Sequence, residues 1–183
     1  NGICALITSA YTLDGKSTAA RKHMAKRGEL LGAIRLPQNA FRRMADTTVE
    51  TDILFFRRYT PEEEAKARTD LSAGQLPLWV TSPKDTLSNY FEANTDAVIG
   101  ELDYAQTQYG GYREVAKLAD MSTLLPLLND RITALPSGVY QPWQHDEQSM
   151  DEKVRHVETI PSLELRKFRP GGFALDERHI PCI

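Results

Sequence analysis

The sequence has few of the residues that build disulfide frameworks, metal sites and membrane spans. Its 183 residues include two cysteines at opposite ends, Cys4 and Cys182, and four histidines without metal-ligand spacing. Two distant thiols form neither a disulfide framework nor a zinc site, so an intracellular, cytoplasmic location is expected. No apolar run approaches the roughly 20 residues that cross a bilayer, and no basic leader is present. We therefore expect no membrane partner.

A strong overall charge is also missing, but the charge that is present is unevenly distributed. The formal net charge is −3. Residues 1–58 contain ten Lys/Arg and five Asp/Glu, a balance of +5, so the remainder carries −8. Non-specific DNA affinity depends on local positive charge near phosphates, not on the overall balance. The basic N-terminal third is thus compatible with DNA contact without requiring it.

Short apolar runs indicate an α/β organisation in the first third of the chain. The predicted strands cover residues 2–8, 30–36 and 52–57. Runs of this kind are typical of strands buried on both faces, so Cys4 is expected to be buried as a small hydrophobe. A helix capped by Ser17 or Thr18 and closed by a left-handed Gly28 fits between the first two strands, which implies a parallel crossover. The third strand follows without a helix of useful length, which predicts an antiparallel return and a mixed sheet.

The sequence predicts three regions: the distal part of a sheet over residues 1–58, an α+β extension over 59–143, and a linker with an extended tail over 144–183. Within the extension, residues 61–68 lack an apolar stripe and predict a solvated helix. Residues 122–135 repeat leucine and isoleucine at helical spacing and predict an amphipathic helix. Residues 104–112 predict a strand or hairpin turn.

The most specific pattern lies in residues 31–41 (LGAIRLPQNAF) and 48–56 (TVETDILFF), preceded by 2–9 (GICALITS) and 11–14 (YTLD). In their order and spacing, these stretches resemble the late motifs of adenine-N6 DNA methyltransferases. The closest resemblance is to the large phage- and plasmid-encoded group in which a methyltransferase is fused to helicase-like domains. Weaker similarity continues at Phe91, 100–102, 109–110 and 171–173.

The resemblance implies a partial Rossmann-like methyltransferase fold in which the seventh strand is antiparallel and an α+β tail follows. It also implies S-adenosylmethionine as the cofactor, held by a glycine-containing loop, and an Asn/Asp-Pro-Pro-aromatic catalytic motif. Both family motifs lie upstream of the matched region, and this chain contains neither. It has no Pro-Pro pair, and neither Gly110-Gly111 nor Gly171-Gly172 follows a strand and opens a helix. We therefore expect a fragment without catalytic residues that is inactive alone and is completed by an upstream methyltransferase half. Downstream helicase-like domains are also expected partners.

The resemblance also suggests residues that touch DNA. Phe41, in a loop after a strand, is placed like an aromatic that stacks on an extruded base, and Tyr11 follows the first strand where ligands gather in open α/β sheets. Both residues also have a plain packing interpretation. The candidates for phosphate contact are Arg42, Arg43, Lys16 and Arg35. Asp52 is expected to cap a strand or to form a surface ion pair.

One local departure and two competing interpretations accompany the methyltransferase hypothesis. Residues 45–47 read Ala-Asp-Thr where the family often has Ala-Gly-Thr, which changes turn geometry and charge. The first alternative is a non-catalytic DNA-binding or assembly module of a phage or plasmid protein. The second is a generic α/β domain of unrelated function.

Overall fold

The computed structural model describes residues 2–42, 48–106, 111–140, 174–175 and 181–182. The chain divides into two compact units, Asn1–Trp143 and Gln144–Ile183. The boundaries predicted at residues 58 and 143 stay predictions. The fold is mixed α/β with small antiparallel sheets.

The main sheet contains β1 (Ile3–Ser9), β2 (Gly28–Arg35) and β3 (Thr51–Arg58). Their spatial order is β1-β3-β2, and β3 runs antiparallel to both neighbours. The predicted antiparallel return is therefore confirmed. The predicted mixed sheet is not found among these strands: β1 and β2 run in the same direction, but β3 lies between them and leaves no adjacent parallel pair.

The connection from β1 to β2 is made by two short helices, α1 (Tyr11–Asp14) and α2 (Ala19–Ala25). Thr18 occupies the N-cap position of α2, but its side chain makes no capping hydrogen bond. The prediction for Gly28 was wrong, because this residue is the first of β2 rather than a left-handed helix end. A side chain there would bring its Cβ to 2.8 Å from the carbonyl oxygen of Arg57, so close strand pairing explains the glycine.

The second half of this unit supplies helices and a strand pair around the sheet. These are α3 (Pro61–Ser72), α4 (Asn89–Ala93), β4 (Glu101–Gln106), β5 (Tyr112–Lys117) and α5 (Leu124–Thr133). Short 3-10 helices cover Leu78–Val80, Thr95–Ala97 and Met121–Thr123. Strands β4 and β5 pair antiparallel, and an isolated parallel bridge joins Arg35 to Val98.

Helix α3 depends on its own sequence because it buries none of its residues. The Thr60 hydroxyl accepts from the Glu63 amide, and the Glu63 carboxylate accepts from the Thr60 amide, which together form a capping box. Pro61 occupies the first turn, where its missing N–H costs nothing. The predicted solvated helix is thus confirmed and extends to Ser72.

The core lies on both faces of β2 and β3. On one face, Leu54 and Phe56 pack with α2, Trp79 and Phe91. On the other, Ile34 and Ile99 pack with Phe55 and with the leucines of α5. The alternation of β3 therefore serves two hydrophobic layers, as expected of a strand covered on both sides.

Strand β1 does not share in this burial, which overturns the prediction that it is buried on both faces. Leu6 is 40% exposed and Ile7 64% exposed, although they pair with Leu54 and Ile53 of the covered strand. Cys4 is exposed and free, not buried. Both β1 and β2 are outer strands of this sheet, but the two hydrophobic layers of the described residues pack over β2 and β3 and include no buried residue of β1.

The described part of the second unit consists of β6 (Ala174–Leu175) and β7 (Pro181–Cys182), which pair antiparallel. Among the residues that the structure describes, no helix is both long and apolar enough to cross a membrane.

Candidate functional site

A cluster of charged side chains lies where β1 ends and α1 begins. Its centre is Arg35, the last residue of β2, whose side chain is completely buried. Arg35 donates from Nε to Asp52 Oδ1 at 2.8 Å, and from Nη2 to Asp52 Oδ2 and Asp14 Oδ1, both at 3.0 Å. The fork geometry of the Asp52 pair is the strong bidentate form of an arginine–carboxylate contact.

A second arginine enters the cluster from the β4–β5 pair. Arg113 Nη2 lies 2.9 Å from Asp14 Oδ2 and 2.5 Å from Glu50 Oε2. Glu50 also accepts a hydrogen bond from the Ala116 amide, so it ties the start of β3 to β5. Five charged groups from separate parts of the chain therefore meet in a largely buried site.

The protonation of this site is governed by burial and by the two guanidinium groups. Burial lowers the pKa of Arg35, whereas the hydrogen-bonded carboxylate of Asp52 and the charges of Asp14 and Glu50 raise it by a larger amount. The pKa of Arg35 is therefore above its ordinary value, and the guanidinium stays charged. Burial raises the pKa of Glu50, and Arg35, the Ala116 amide and Arg113 only partly offset this effect. A fixed arginine faces each carboxylate, and this contact offsets the free-energy cost of burying the negative charge.

Aromatic rings cover both arginines. The guanidinium carbon of Arg35 lies 4.3 Å from the ring centroid of Phe91, a fully buried residue. That of Arg113 lies 4.9 Å from the ring centroid of Tyr11, which is 57% exposed. Tyr11 is thus the point at which the buried cluster reaches the surface.

Two sequence predictions need correction at this site. Arg35 was a candidate for phosphate contact, yet its side chain has no exposed surface and is held by Asp52 and Asp14. Asp52 was expected to cap a strand or to form a surface pair, yet it is fully buried. An arginine and an aspartate 17 positions apart give no sequence signal of pairing, because the β2–β3 register brings them together.

The remaining predicted DNA-contacting residues lie in varied surroundings. Lys16 Nζ donates to the backbone carbonyls of Pro83, Lys84 and Asp85 at 3.0 to 3.2 Å, which ties the start of the chain to that loop. Phe41 is partly buried and packs against the Ile34 layer, in line with its packing interpretation.

Arg42 is exposed, as a phosphate contact requires. Arg43 and residues 45–47 lie outside the described residues. Arg42 therefore lies at the surface beside Phe41 and forms no ion pair with another described residue.

Sequence analysis missed three members of the cluster: Asp14, Glu50 and Arg113. Each is an ordinary charged residue in a polar stretch, and no spacing rule connects them. One indirect signal existed, because Glu50 and Asp52 lie directly before the apolar run of residues 53–56.

A single residue, Ala10, joins β1 to α1. Strand β1 passes into α1 through Ala10, which is buried and donates its amide to the Glu50 carbonyl. No glycine loop with free amides lies there, and α1 is only four residues long. The described residues also contain no group of three or more His, Cys, Asp or Glu side chains able to hold a metal ion.

A groove of about 480 Å³ runs along the uncovered face of β1. Its lining combines apolar side chains, among them Leu6, Met24 and Phe56, with charged ones, among them Arg27 and Glu64. The groove continues the hydrophobic layer of β3 outward over the edge strand.

Comparison with protein-family models, curated proteins and solved structures found no match to this chain.

Proposed function

We propose that this chain is the distal part of an adenine-N6 DNA methyltransferase, the enzyme class that transfers a methyl group from S-adenosylmethionine to adenine in DNA. The proposal rests on the resemblance of residues 1–58 to the late motifs of that class. In it, the three-stranded sheet is the end of a larger Rossmann-like sheet in the cytoplasm. A preceding polypeptide segment supplies the cofactor loop and the catalytic motif, so this chain alone is inactive.

The observation that carries the proposal is the incomplete burial of β1. A strand with apolar side chains on both faces is typical of the interior of a sheet covered by helices. Here that strand is at an edge, and both its faces are open at Leu6 and Ile7. Further strands and helices joined at β1 would complete both hydrophobic layers and cover the groove. The antiparallel β3, last in sequence of the three, agrees with the antiparallel seventh strand of the family.

The residues proposed to touch DNA are those that remain accessible. Tyr11 and Phe41 stack on the extruded adenine, and Arg42 and Arg43 contact phosphates beside it. Lys16 supports the same surface by holding the loop at Pro83 to Asp85. Arg35 is not assigned a DNA contact because it is buried in the ionic cluster.

The test of the cofactor assignment is calorimetric titration of S-adenosylmethionine into two proteins. One is this chain, and the other is extended upstream by roughly 200 residues, a typical domain length. We expect only the extended protein to bind. Binding by this chain alone would contradict the location of the cofactor site. Binding by neither would favour a non-catalytic DNA-binding or assembly module.

The test of the base-stacking assignment is adenine methylation by the extended protein carrying Phe41→Leu. Leucine keeps the apolar contact with the Ile34 layer and removes the aromatic face, so we expect weaker methylation with unchanged unfolding. The matched control is Tyr104→Leu, which alters an exposed aromatic on β4. Equal activity of Phe41→Leu and parent would leave Phe41 with its packing role only.

A further inference from the structure

Tyr11 has an unusual combination of exposure and restraint. It is the first residue of α1, two positions after the end of β1, and 57% of its surface is exposed. The Arg113 guanidinium covers one side of its ring at 4.9 Å. Stacking on a guanidinium plane fixes a ring without covering its opposite face. The ring is therefore held on one side and open on the other.

The arginine beneath the ring is itself held firmly. Arg113 Nη2 contacts carboxylate oxygens of both Asp14 and Glu50, and its side chain is 12% exposed. These carboxylates are anchored in turn: Asp14 accepts from the Ser88 amide, and Glu50 from the Ala116 amide. The support for Tyr11 thus consists of fixed groups rather than a mobile surface chain.

The charge of the cluster decides what kind of ligand suits the open face. Two arginines, Arg35 and Arg113, face three carboxylates, Asp14, Glu50 and Asp52. A third arginine, Arg21, is also buried, and the charge of Asp14 acts on it, so three positive and three negative charges balance when all six groups are ionised. The cluster therefore has no excess positive charge that would favour a phosphate over a neutral flat ring.

We propose that Tyr11 and Arg113 form a stacking platform for a neutral, planar heteroaromatic ring such as a purine base. Tyr11 provides the contact face, and Arg113 is a positioning residue that acts through Tyr11. The proposal rests on the adenine-binding role given to Tyr11 above and adds a residue from β5 that no sequence pattern indicated. The ligand is recognised through its π-face, a contact that every base offers.

The experiment titrates the full 183-residue chain into 2-aminopurine riboside, a fluorescent purine nucleoside without phosphate. Stacking on an aromatic quenches its fluorescence. We expect saturable quenching that is insensitive to salt and equal for the riboside and its 5′-monophosphate. Binding of the monophosphate alone, or no binding at all, would overturn the proposal.

Variants then separate the two residues. Tyr11→Leu is expected to weaken binding roughly five-fold or more, the effect of losing one stacked base, while Tyr11→Phe keeps parent affinity. Arg113→Lys retains a charge for Asp14 and Glu50 but loses the flat guanidinium, and it is expected to weaken binding without changing the circular dichroism spectrum. Tyr104→Leu, a change at a tyrosine of similar exposure, is the matched control and should bind like the parent.

The outcomes are distinguishable from failure of the methyltransferase proposal. If Arg113→Lys binds like the parent while Tyr11→Leu does not, the positioning role of Arg113 is overturned. If Tyr11→Leu also binds like the parent, the platform is overturned entirely. Neither result depends on S-adenosylmethionine, so an inactive extended protein that still quenches the riboside contradicts only the enzyme assignment.

Discussion

At the scale of single residues, the ion pairs of this protein differ in how deeply their side chains are buried. Arg35 and Asp52 form a bidentate pair with no exposed surface, whereas Lys117 and Asp103 form a pair in solvent. Water screens the second pair, and holding two long side chains together offsets most of its Coulomb energy. In the first pair, removing one partner leaves a buried charge without its strongest contact.

This difference predicts the effect of neutralising each aspartate. Asp52→Asn should lower the free energy of unfolding by about 3 kcal/mol, because the buried Arg35 loses its bidentate charged partner and keeps Asp14 at 3.0 Å and Glu50 at 3.9 Å. Urea denaturation followed by circular dichroism measures the change. The matched variant Asp103→Asn should be indistinguishable from the parent. Similar losses in both variants would contradict the assignment of Arg35 and Asp52 as the structural centre.

The pKa of Glu50 predicts a pH dependence of the opposite sign to that of a surface pair. Burial raises this pKa above its ordinary value of 4.5, so the folded state binds a proton more readily than the unfolded state. Glu50 therefore contributes less stability as the pH rises from about 4.5 through its folded-state pKa. The free energy of unfolding of Glu50→Gln, minus that of the parent, should increase over this window.

Glu63 is the control for this prediction, because its contribution to stability should change with pH in the opposite direction. The hydrogen bond from Arg57 lowers the pKa of Glu63, so its stabilising contribution is present above 4.5 and is lost as the pH falls through the folded-state pKa. The corresponding difference for Glu63→Gln should therefore decrease as the pH rises towards 4.5. Urea denaturation across the pH series measures both variants, and slopes of equal sign would show that burial does not dominate at Glu50.

At the scale of secondary-structure elements, one glycine fixes how the β4–β5 pair starts. Gly100 precedes β4 and has φ +105°, a conformation that L side chains rarely adopt. A Cβ at this position would also collide with the carbonyl oxygen of Lys117 at the end of β5. The glycine is therefore required both by its backbone conformation and by the close approach of the partner strand.

Two glycine substitutions separate those causes. Gly74 also has positive φ, at +83°, but a Cβ there meets nothing within 4 Å. Gly74→Ala should cost roughly 1–2 kcal/mol, the backbone term for a left-handed residue. Gly100→Ala should cost clearly more, because the steric clash adds to that term. Thermal unfolding of both variants shows which of them loses more stability. Equal losses would mean that the end of β5 moves away from the added Cβ at no cost.

At the scale of the whole molecule, both β1 and β2 are outer strands of the three-stranded sheet, and β1 is the more exposed of the two. The Gly2 carbonyl accepts from the Arg58 amide, and the Ala10 amide donates to the Glu50 carbonyl. Antiparallel pairing alternates, so the even-numbered residues between them bond to β3. The odd-numbered residues Ile3, Ala5 and Ile7 then direct their amides to the free edge, which is a template for another strand.

Amide hydrogen exchange measures which amides of β1 are hydrogen-bonded to β3 and which are directed to the free edge. In this chain, the amides of Cys4, Leu6 and Thr8 should exchange slowly, and those of Ile3 and Ala5 quickly. In the upstream-extended protein, the second group should become protected, because the added part of the sheet pairs with β1. Protection of Ile3 and Ala5 in this chain alone would instead indicate strand pairing between copies, which sedimentation at two protein concentrations would detect.

The local elements were predictable where the signal is local. The predictions of a solvated helix at 61–68 and of an amphipathic helix at 122–135 depend on side chains three or four positions apart. Helices formed at both places, over Pro61–Ser72 and Leu124–Thr133. The prediction for Gly28 was wrong because the requirement for glycine comes from a distant contact. A Cβ at this position would collide with the carbonyl oxygen of Arg57, 29 positions away. The exposure of Cys4 was missed for a similar reason, since an apolar run does not reveal which strands lie beside it.

The sequence by itself determined the α/β character, the antiparallel return and the apolar faces, because backbone preference and side-chain periodicity are properties of short segments. Tertiary structure alone decided that β3 lies between β1 and β2 and that β1 is an edge. It also brought Asp14, Glu50 and Arg113 around Arg35. A contact of this kind gains its energy only after distant segments have met, since burial removes the solvent that otherwise screens the charges. Until then, those residues are indistinguishable from any others on a polar surface.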